Sequence, residues 1–413
     1  MKGLSSKLIH GQIEDSKRDT FRSLKTPIYD TASYDFENSE SMEQAFRGNT
    51  DAYIYSRITN PTVTELQNRI KLFAGAENCL CVSSGMAAIS NTIVSICQAG
   101  DNIISSRFLF GNTYSFFKNT IASFGIETRF VDLENIEEIE VAIDNKTRCI
   151  FLEIMTNPQL ILFDVEKIAA LAKKHQVILI ADNSVLTPYI FQSRNYDIDV
   201  EVFSNTKFIS GGATSIGGSV LTYKSDKWSK IPKLKPEFDK YGSDAFIKKI
   251  GKEIFRNFGG CLSPNNAYLQ LLGLETIAIR IDKISENALK TAEFLQNHLK
   301  VKRVSYPSLK NSDYKVLADK LLGAKSGCLI NFELESESAC FKFIDELKMI
   351  RRGTNFCDNK SMILHPASTI YCDNTKEDKD LMRINERMIR LAVGLEDIED
   401  IIEDISLALI KVN

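Results

Sequence analysis

Lys207 stands in SNTKFISGGATSIGG (residues 204–218), directly after an apolar run and just ahead of a glycine-rich loop. Most lysines are solvated surface groups, and this is an unusual place for one. An amine held between a buried strand and a loop loses hydration, its pKa falls, and the free base becomes nucleophilic toward a carbonyl. Ser204 and Thr206, just before it, carry hydroxyls that suit a phosphate. Asp182 ends a second apolar run, in VILIADNSVLTP (177–188). The C-terminal edge of a parallel sheet is where ligands bind. A carboxylate there suits the task of keeping a ring nitrogen protonated, and it equally suits the capping of the next turn. A third run, CVSSGMAA (81–88), passes from strand to helix at Gly85. The N–H groups and positive dipole end of a helix start favour a phosphate, although a plain strand-to-helix turn has the same sequence. Arg390, in MIRLAVGLED (388–397), lies beside apolar residues. If buried, its planar fork suits a carboxylate bidentately, and if exposed, a surface ion pair.

Singly these signals are weak. Together they offer an amine, a carboxylate, an anion cradle and an arginine. That is the set pyridoxal 5′-phosphate (PLP) requires: a lysine for its aldehyde, a partner for its ring nitrogen, a phosphate site and a clamp for the substrate carboxylate. The chain contains neither GxGxxG nor GxxxxGK[ST], so the dinucleotide fingerprint and the P-loop are absent.

Elements of the right kind surround these residues. From residue 61 onward, short Ile- and Val-rich runs alternate with helical spacings: TVTELQNRIKLFAG, NCLCVSS, GMAAISNTIVSICQAG, DNIISS, TYSFFKNTIASFG, IETRFVD, IEEIEVAID, RCIFLEI, VEKIAALAKKH and VILIAD, then VEVFSN and GGSVLTY. This alternation predicts βαβ units and a mostly parallel sheet covered on both faces. Residues 225–260, charged and with two prolines, break the rhythm and read as a surface insertion. The helical stretch from Pro264 to His298 is too long for one ordinary globular helix, which predicts a bend between two bodies. Mixed strand and helix follow. The expected organisation is an N-terminal arm (1–60), a large α/β domain (61–262) and a smaller α+β domain (263–413).

Composition narrows the function. With 51 Lys+Arg against 54 Asp+Glu, the net charge of −3 disfavours a nucleic-acid binder or a polybasic membrane protein. No apolar run of transmembrane length occurs, and the N-terminus shows no signal-peptide core. Four histidines leave little room for a histidine-based metal site, and no metal is expected. Nine cysteines without a CxxC fit reduced, mostly buried thiols in the cytoplasm.

The ordered blocks TKFISGGATSIGG, AFIKKIGKEIFRNFGGCLSPNNAYLQLLGLET, SMILHPAST and MIRLAVGLEDIEDII resemble the Cys/Met-metabolism enzymes of PLP fold type I, the cystathionine γ-synthase group. Within it they are most similar to O-acetylhomoserine sulfhydrylases. The resemblance runs from about Thr26 to the C-terminus. It implies the aspartate-aminotransferase-like α/β fold and PLP as cofactor. It implies that Lys207 binds PLP covalently and moves protons, that Asp182 pairs with the ring nitrogen, and that Tyr114 stacks on the ring and assists catalysis. It further implies that Gly85, Met86, Ser204 and Thr206 hold the phosphate, and that Tyr55 and Arg57 reach the phosphate of a neighbouring subunit. Arg390, Asn157 and Asn355 would hold the substrate. The implied assembly is a homotetramer, a dimer of dimers. The implied reaction is γ-replacement on an O-acylated homoserine by sulfide or a thiol; the alternative on this scaffold is γ-elimination, as in methionine γ-lyase or a cystathionine lyase. The sequence departs from the family pattern at Asn112, Gly212, Cys357 (where a glycine is common) and Tyr371 (where a histidine is common). No departure removes a cofactor contact, but Asn112, Cys357 and Tyr371 lie near substrate-side segments.

Overall fold

The computed structural model describes residues 3–11 and 21–412, so residues 1–2 and 12–20 of the expected arm lie outside the described residues. The first regular helix beyond the arm, Pro61–Ala74, shows how directly the local sequence sets its bounds. The side chain of Asn60 accepts from the N–H groups of Thr62 and Val63, proline occupies the first turn, and Gly75 ends the helix at φ +63°.

Seven strands follow: β1 Asn78–Val82, β2 Asn102–Ser106, β3 Glu127–Val131, β4 Thr147–Glu153, β5 Ile178–Asp182, β6 Val200–Phe203 and β7 Gly218–Thr222. They form one sheet in the order β1-β7-β6-β5-β4-β2-β3. Only β7 runs antiparallel to its neighbours. Apolar clusters cover both faces, one holding the helices Pro61–Ala74 and Val165–Lys174, the other the helix Gly85–Ile96. The mostly parallel α/β architecture is therefore as the alternation implied.

Residues 225–260 differ from expectation. Trp228, Ile231, Leu234, Ala245, Phe246 and Ile250 are all buried, and Trp228 stacks on Phe246 at 5.2 Å. The segment completes the apolar layer over the helix Gly85–Ile96 and is not merely a surface insertion.

The long helical stretch breaks as expected, into Pro264–Glu275 and Ile277–Gln296 on either side of Thr276. Just before the break, Gly273 meets the turn after Lys207 so closely that a Cβ would lie 2.1 Å from the Ile209 carbonyl oxygen. Buried Arg280 fastens this junction, donating to the carbonyls of Phe208 and Gly273. Beyond it lies a second sheet, β8 Arg303–Ser305, β9 Leu329–Glu333, β10 Arg351–Arg352, β11 Met362–Leu364 and β12 Met388–Ala392, in the order β10-β11-β12-β9-β8. Its own apolar cluster includes the helices Glu337–Glu346 and Ile398–Lys411. No helix among the described residues is long and apolar enough to cross a membrane.

Candidate active site

Neighbouring strands β4, β5 and β6 end close together, and the last residues of β4 and β5 are carboxylates. Glu153 of β4 pairs in register with Asp182 of β5, which pairs with Val202 of β6. One residue past β6 the chain turns through Ser204–Lys207, with the Lys207 N–H donating to the Ser204 carbonyl. The amine of Lys207 is part-buried and donates to Asn355 Oδ1 at 2.6 Å. It lies 4.2 Å from the centre of the Phe356 ring. Burial lowers its pKa to about 8; the guanidinium of Arg390 pushes the same way, while Cys357, Cys328 and Asp182 oppose it. The expected desolvated amine is therefore present.

Asp182 accepts from the Ser184 N–H at 2.8 Å. Burial raises its pKa, and the bonds from Ser184 and the charge of Lys207 restrain that rise. Its neighbour Glu153 is buried and accepts from two backbone N–H groups, Phe110 at 2.6 Å and Asn157 at 3.2 Å. Burial and the charge of Asp182 push its pKa well up.

The helix Gly85–Ile96 begins beside this edge. Ser84 caps it by accepting from Ala87 N–H. A Cβ on Gly85 would lie 2.8 Å from Ser204 Cβ and 3.2 Å from Ser204 Oγ, so only glycine lets the helix start approach the Lys207 turn. Gly85, Met86 and Ser204 thus share one corner, where orphan N–H groups suit an anion. Thr206 is close in sequence, but its hydroxyl is joined in both directions to Gly217, donating at 3.3 Å and accepting at 3.2 Å.

The opposite wall comes from the second sheet. Arg390, in β12, is 1% exposed. Its Nη1 donates to Asn157 Oδ1 at 3.2 Å, and Nη2 donates to the carbonyls of Thr354 at 2.9 Å and Asn355 at 3.2 Å. Its Nε is buried and has no hydrogen-bond partner among the described residues. Burial lowers its pKa to about 10. Among the described residues no carboxylate pairs with it, which leaves a buried cation lacking an anion. Phe356 lies between the two cations, its ring 5.5 Å from the Arg390 guanidinium carbon. Asn157 is held by Glu153 through its N–H and by the Tyr371 hydroxyl, which donates to the carbonyls of Asn157 and Leu109.

Most predicted residues therefore converge. Lys207, Asp182, Asn157, Asn355 and Arg390 form one group, and Gly85, Met86 and Ser204 its corner. Tyr55 and Arg57 are exposed and stand outside it, the guanidinium over the Tyr55 ring at 5.6 Å and donating to the Arg256 carbonyl. Tyr114 also stands apart from the group. Its ring packs on Phe130 of edge strand β3 at 4.9 Å, and its hydroxyl donates to Asp378. Strand β3 stands three places from β5, roughly 14 Å at the usual strand spacing. Phe110 is tied to the β4–β5 edge, its N–H donating to Glu153. Glu153, Phe110 and Phe356 escaped the sequence reading. Glu153 carried the same signal as Asp182, a carboxylate ending an apolar strand.

An amine with lowered pKa, a carboxylate beside it, an anion corner that admits no side chain and an unpaired buried cation fit PLP and an amino-acid carboxylate together. The comparisons agree. Residues 5–410 match the family model described as Cys/Met metabolism PLP-dependent enzyme. A solved structure of a putative O-acetylhomoserine (thiol)-lyase from Campylobacter jejuni, holding a pyridoxyl-lysine phosphate, superposes with a TM-score of 0.94 at 33% identity, covering 98% of this chain and 99% of that one. The O-acetylhomoserine sulfhydrylase of Wolinella succinogenes is 42% identical, with a TM-score of 0.76 over 85% of this chain and 97% of that one. The L-methionine gamma-lyase of Fusobacterium nucleatum subsp. polymorphum is 33% identical over 99% of this chain and 98% of its own length. These neighbours share the type I PLP fold.

Proposed function

Since the chain belongs to the Cys/Met metabolism PLP-dependent enzymes, we propose that it catalyses γ-replacement on an O-acylated homoserine. The acyl group is acetyl, the nucleophile is sulfide or a thiol, and the product is homocysteine or methionine. The observation that carries the proposal is the pair of cations around Phe356: a part-buried lysine amine brought to about 8 and a buried arginine without a counter-ion among the described residues. One takes protons from carbon; the other takes the α-carboxylate of an amino acid.

Bound PLP supplies an electron sink for negative charge at the substrate Cα. The residues do the rest. Arg390 holds the α-carboxylate, and Asn157, fixed through Glu153 and Tyr371, keeps the guanidinium in place. Lys207 would hold the cofactor aldehyde, and its free amine would remove and return protons at Cα and Cβ; a pKa of about 8 leaves some free base at neutral pH. Asn355 accepts from the amine and steers it. Asp182 keeps a proton on the ring nitrogen. Gly85 and Met86 give N–H groups to the phosphate, with Ser204 and Thr206 beside them. Phe110, in place of Tyr114, offers an apolar face near the ring and no hydroxyl. Tyr55 and Arg57 serve the phosphate of a second copy, so the complete unit is a dimer, two of which make a homotetramer acting in the cytoplasm. The arm (1–60), the cofactor domain (61–262) and the C-terminal domain (263–413) divide this labour.

Sulfhydrylase neighbours at 33% and 42% identity favour replacement, while a lyase relative at 33% keeps γ-elimination as the competing outcome. Incubation with PLP, O-acetylhomoserine and sulfide is expected to yield homocysteine. No homocysteine there, with rapid release of 2-oxobutyrate from methionine alone, would make the protein a lyase.

A further inference from the structure

Two thiols meet where the loop that carries Asn355 and the carbonyls gripping Arg390 approaches the start of β9. Cys357 Sγ is 3.0 Å from Cys328 Sγ, and both residues are buried, at 1% and 0% exposure. Cys328 immediately precedes β9, whereas Cys357 belongs to the loop. A disulfide bond measures about 2.05 Å, so closure needs about 1 Å of movement with no atom between the sulfurs. Cys357 has φ +55°, the left-handed region that favours glycine. The chain holds a thiol there at a conformational cost. Burial and the neighbouring Cys328 hold this thiol's pKa well above the usual range, and the charges of Lys207 and Arg390 in its surroundings only partly restrain that rise.

We propose that Cys328 and Cys357 are an oxidative modification site, forming a reversible intrachain disulfide with hydrogen peroxide as oxidant. The Cys357 sulfur attacks the peroxide O–O bond, giving a sulfenic acid and one water. The Cys328 sulfur then displaces the sulfenic oxygen as a second water while the S–S bond forms. Two thiols and one peroxide become one disulfide and two waters; the sulfurs lose two electrons and the peroxide oxygens gain them. A dithiol reverses the change. The bond ties the Asn355 loop to β9.

The test uses the full-length protein, reduced, exposed to hydrogen peroxide, quenched in acid, alkylated under denaturing conditions and digested. The expected result is a cross-linked peptide pair containing Cys328 and Cys357, two hydrogens lighter than the separate peptides and abolished by dithiothreitol. In Cys357→Gly, whose backbone suits this loop, Cys328 is expected to remain alkylatable; Cys328→Ser is expected to spare Cys357 in the same way. Alkylation of both thiols in the treated wild type, pairing of either with another cysteine, or equal oxidation of Cys328 in Cys357→Gly would overturn the proposal. None of these readouts depends on the enzymatic reaction proposed above.

Discussion

Lys207, Asp182 and Glu153 stand at or just past the ends of adjacent strands of the large sheet, whereas Arg390 lies within a strand of the small one and works through a loop. The first wall is set by strand register. The second is set by packing between distant segments: Asn157, residues 354–356 and β12 meet only after both sheets have formed. A cofactor wall needs fixed geometry, and backbone ladders supply it. The proposed substrate wall needs an adjustable charge clamp, and a loop beside a buried guanidinium would supply that. The two meet at the Lys207–Asn355 hydrogen bond.

The sharpest way to break the contrast is Lys207→Ala. It should abolish the visible absorption of the PLP-loaded protein and cut turnover by about a thousand-fold or more. Next comes Arg390→Ala, which should cost roughly a hundred- to thousand-fold in kcat/KM, mostly through KM. Glu153→Gln should injure both walls together, because an amide cannot accept from the Phe110 and Asn157 N–H groups through both of its heteroatoms. A loss of about 1–3 kcal/mol of stability is expected in chemical denaturation, with a rise in KM.

The smallest effect is opposite in sign. The folded protein depresses the Lys207 pKa to about 8, while the unfolded lysine titrates near ~10.4. Between these values the unfolded chain binds more protons, so this group's contribution makes the PLP-free protein more stable as pH rises through that window, and its cost is full below pH 8. Lys207→Met should therefore raise stability at pH 7 by on the order of 1–2 kcal/mol and flatten the profile between pH 8 and 10. Thermal melts across that range measure both.

The cofactor wall was the more legible in sequence because its chemistry lies next to its own strands. Lys207 and Asp182 announce themselves as polar residues closing apolar runs, and Gly85 as a helix start. Glu153 had the same mark and was passed over because its role depends on the neighbouring strand. Tyr114 stands apart from the group because its ring is taken up by Phe130 and its hydroxyl by Asp378, long-range contacts that no local pattern announces. Residues 225–260 looked like surface because lysines crowd the apolar positions Trp228, Ile231 and Leu234. On the substrate wall, Asn355 and Asn157 came only from family resemblance, since no local pattern links positions so far apart.

The separation of the two walls is tested most directly by titrating Arg390→Ala with PLP and then with O-acetylhomoserine while following the visible absorption. The expected result is PLP affinity within about threefold of wild type and a substrate response displaced by roughly a hundredfold or more. Loss of PLP binding in that variant, or an unaltered substrate response, would contradict the division of the site into a cofactor wall and a substrate wall.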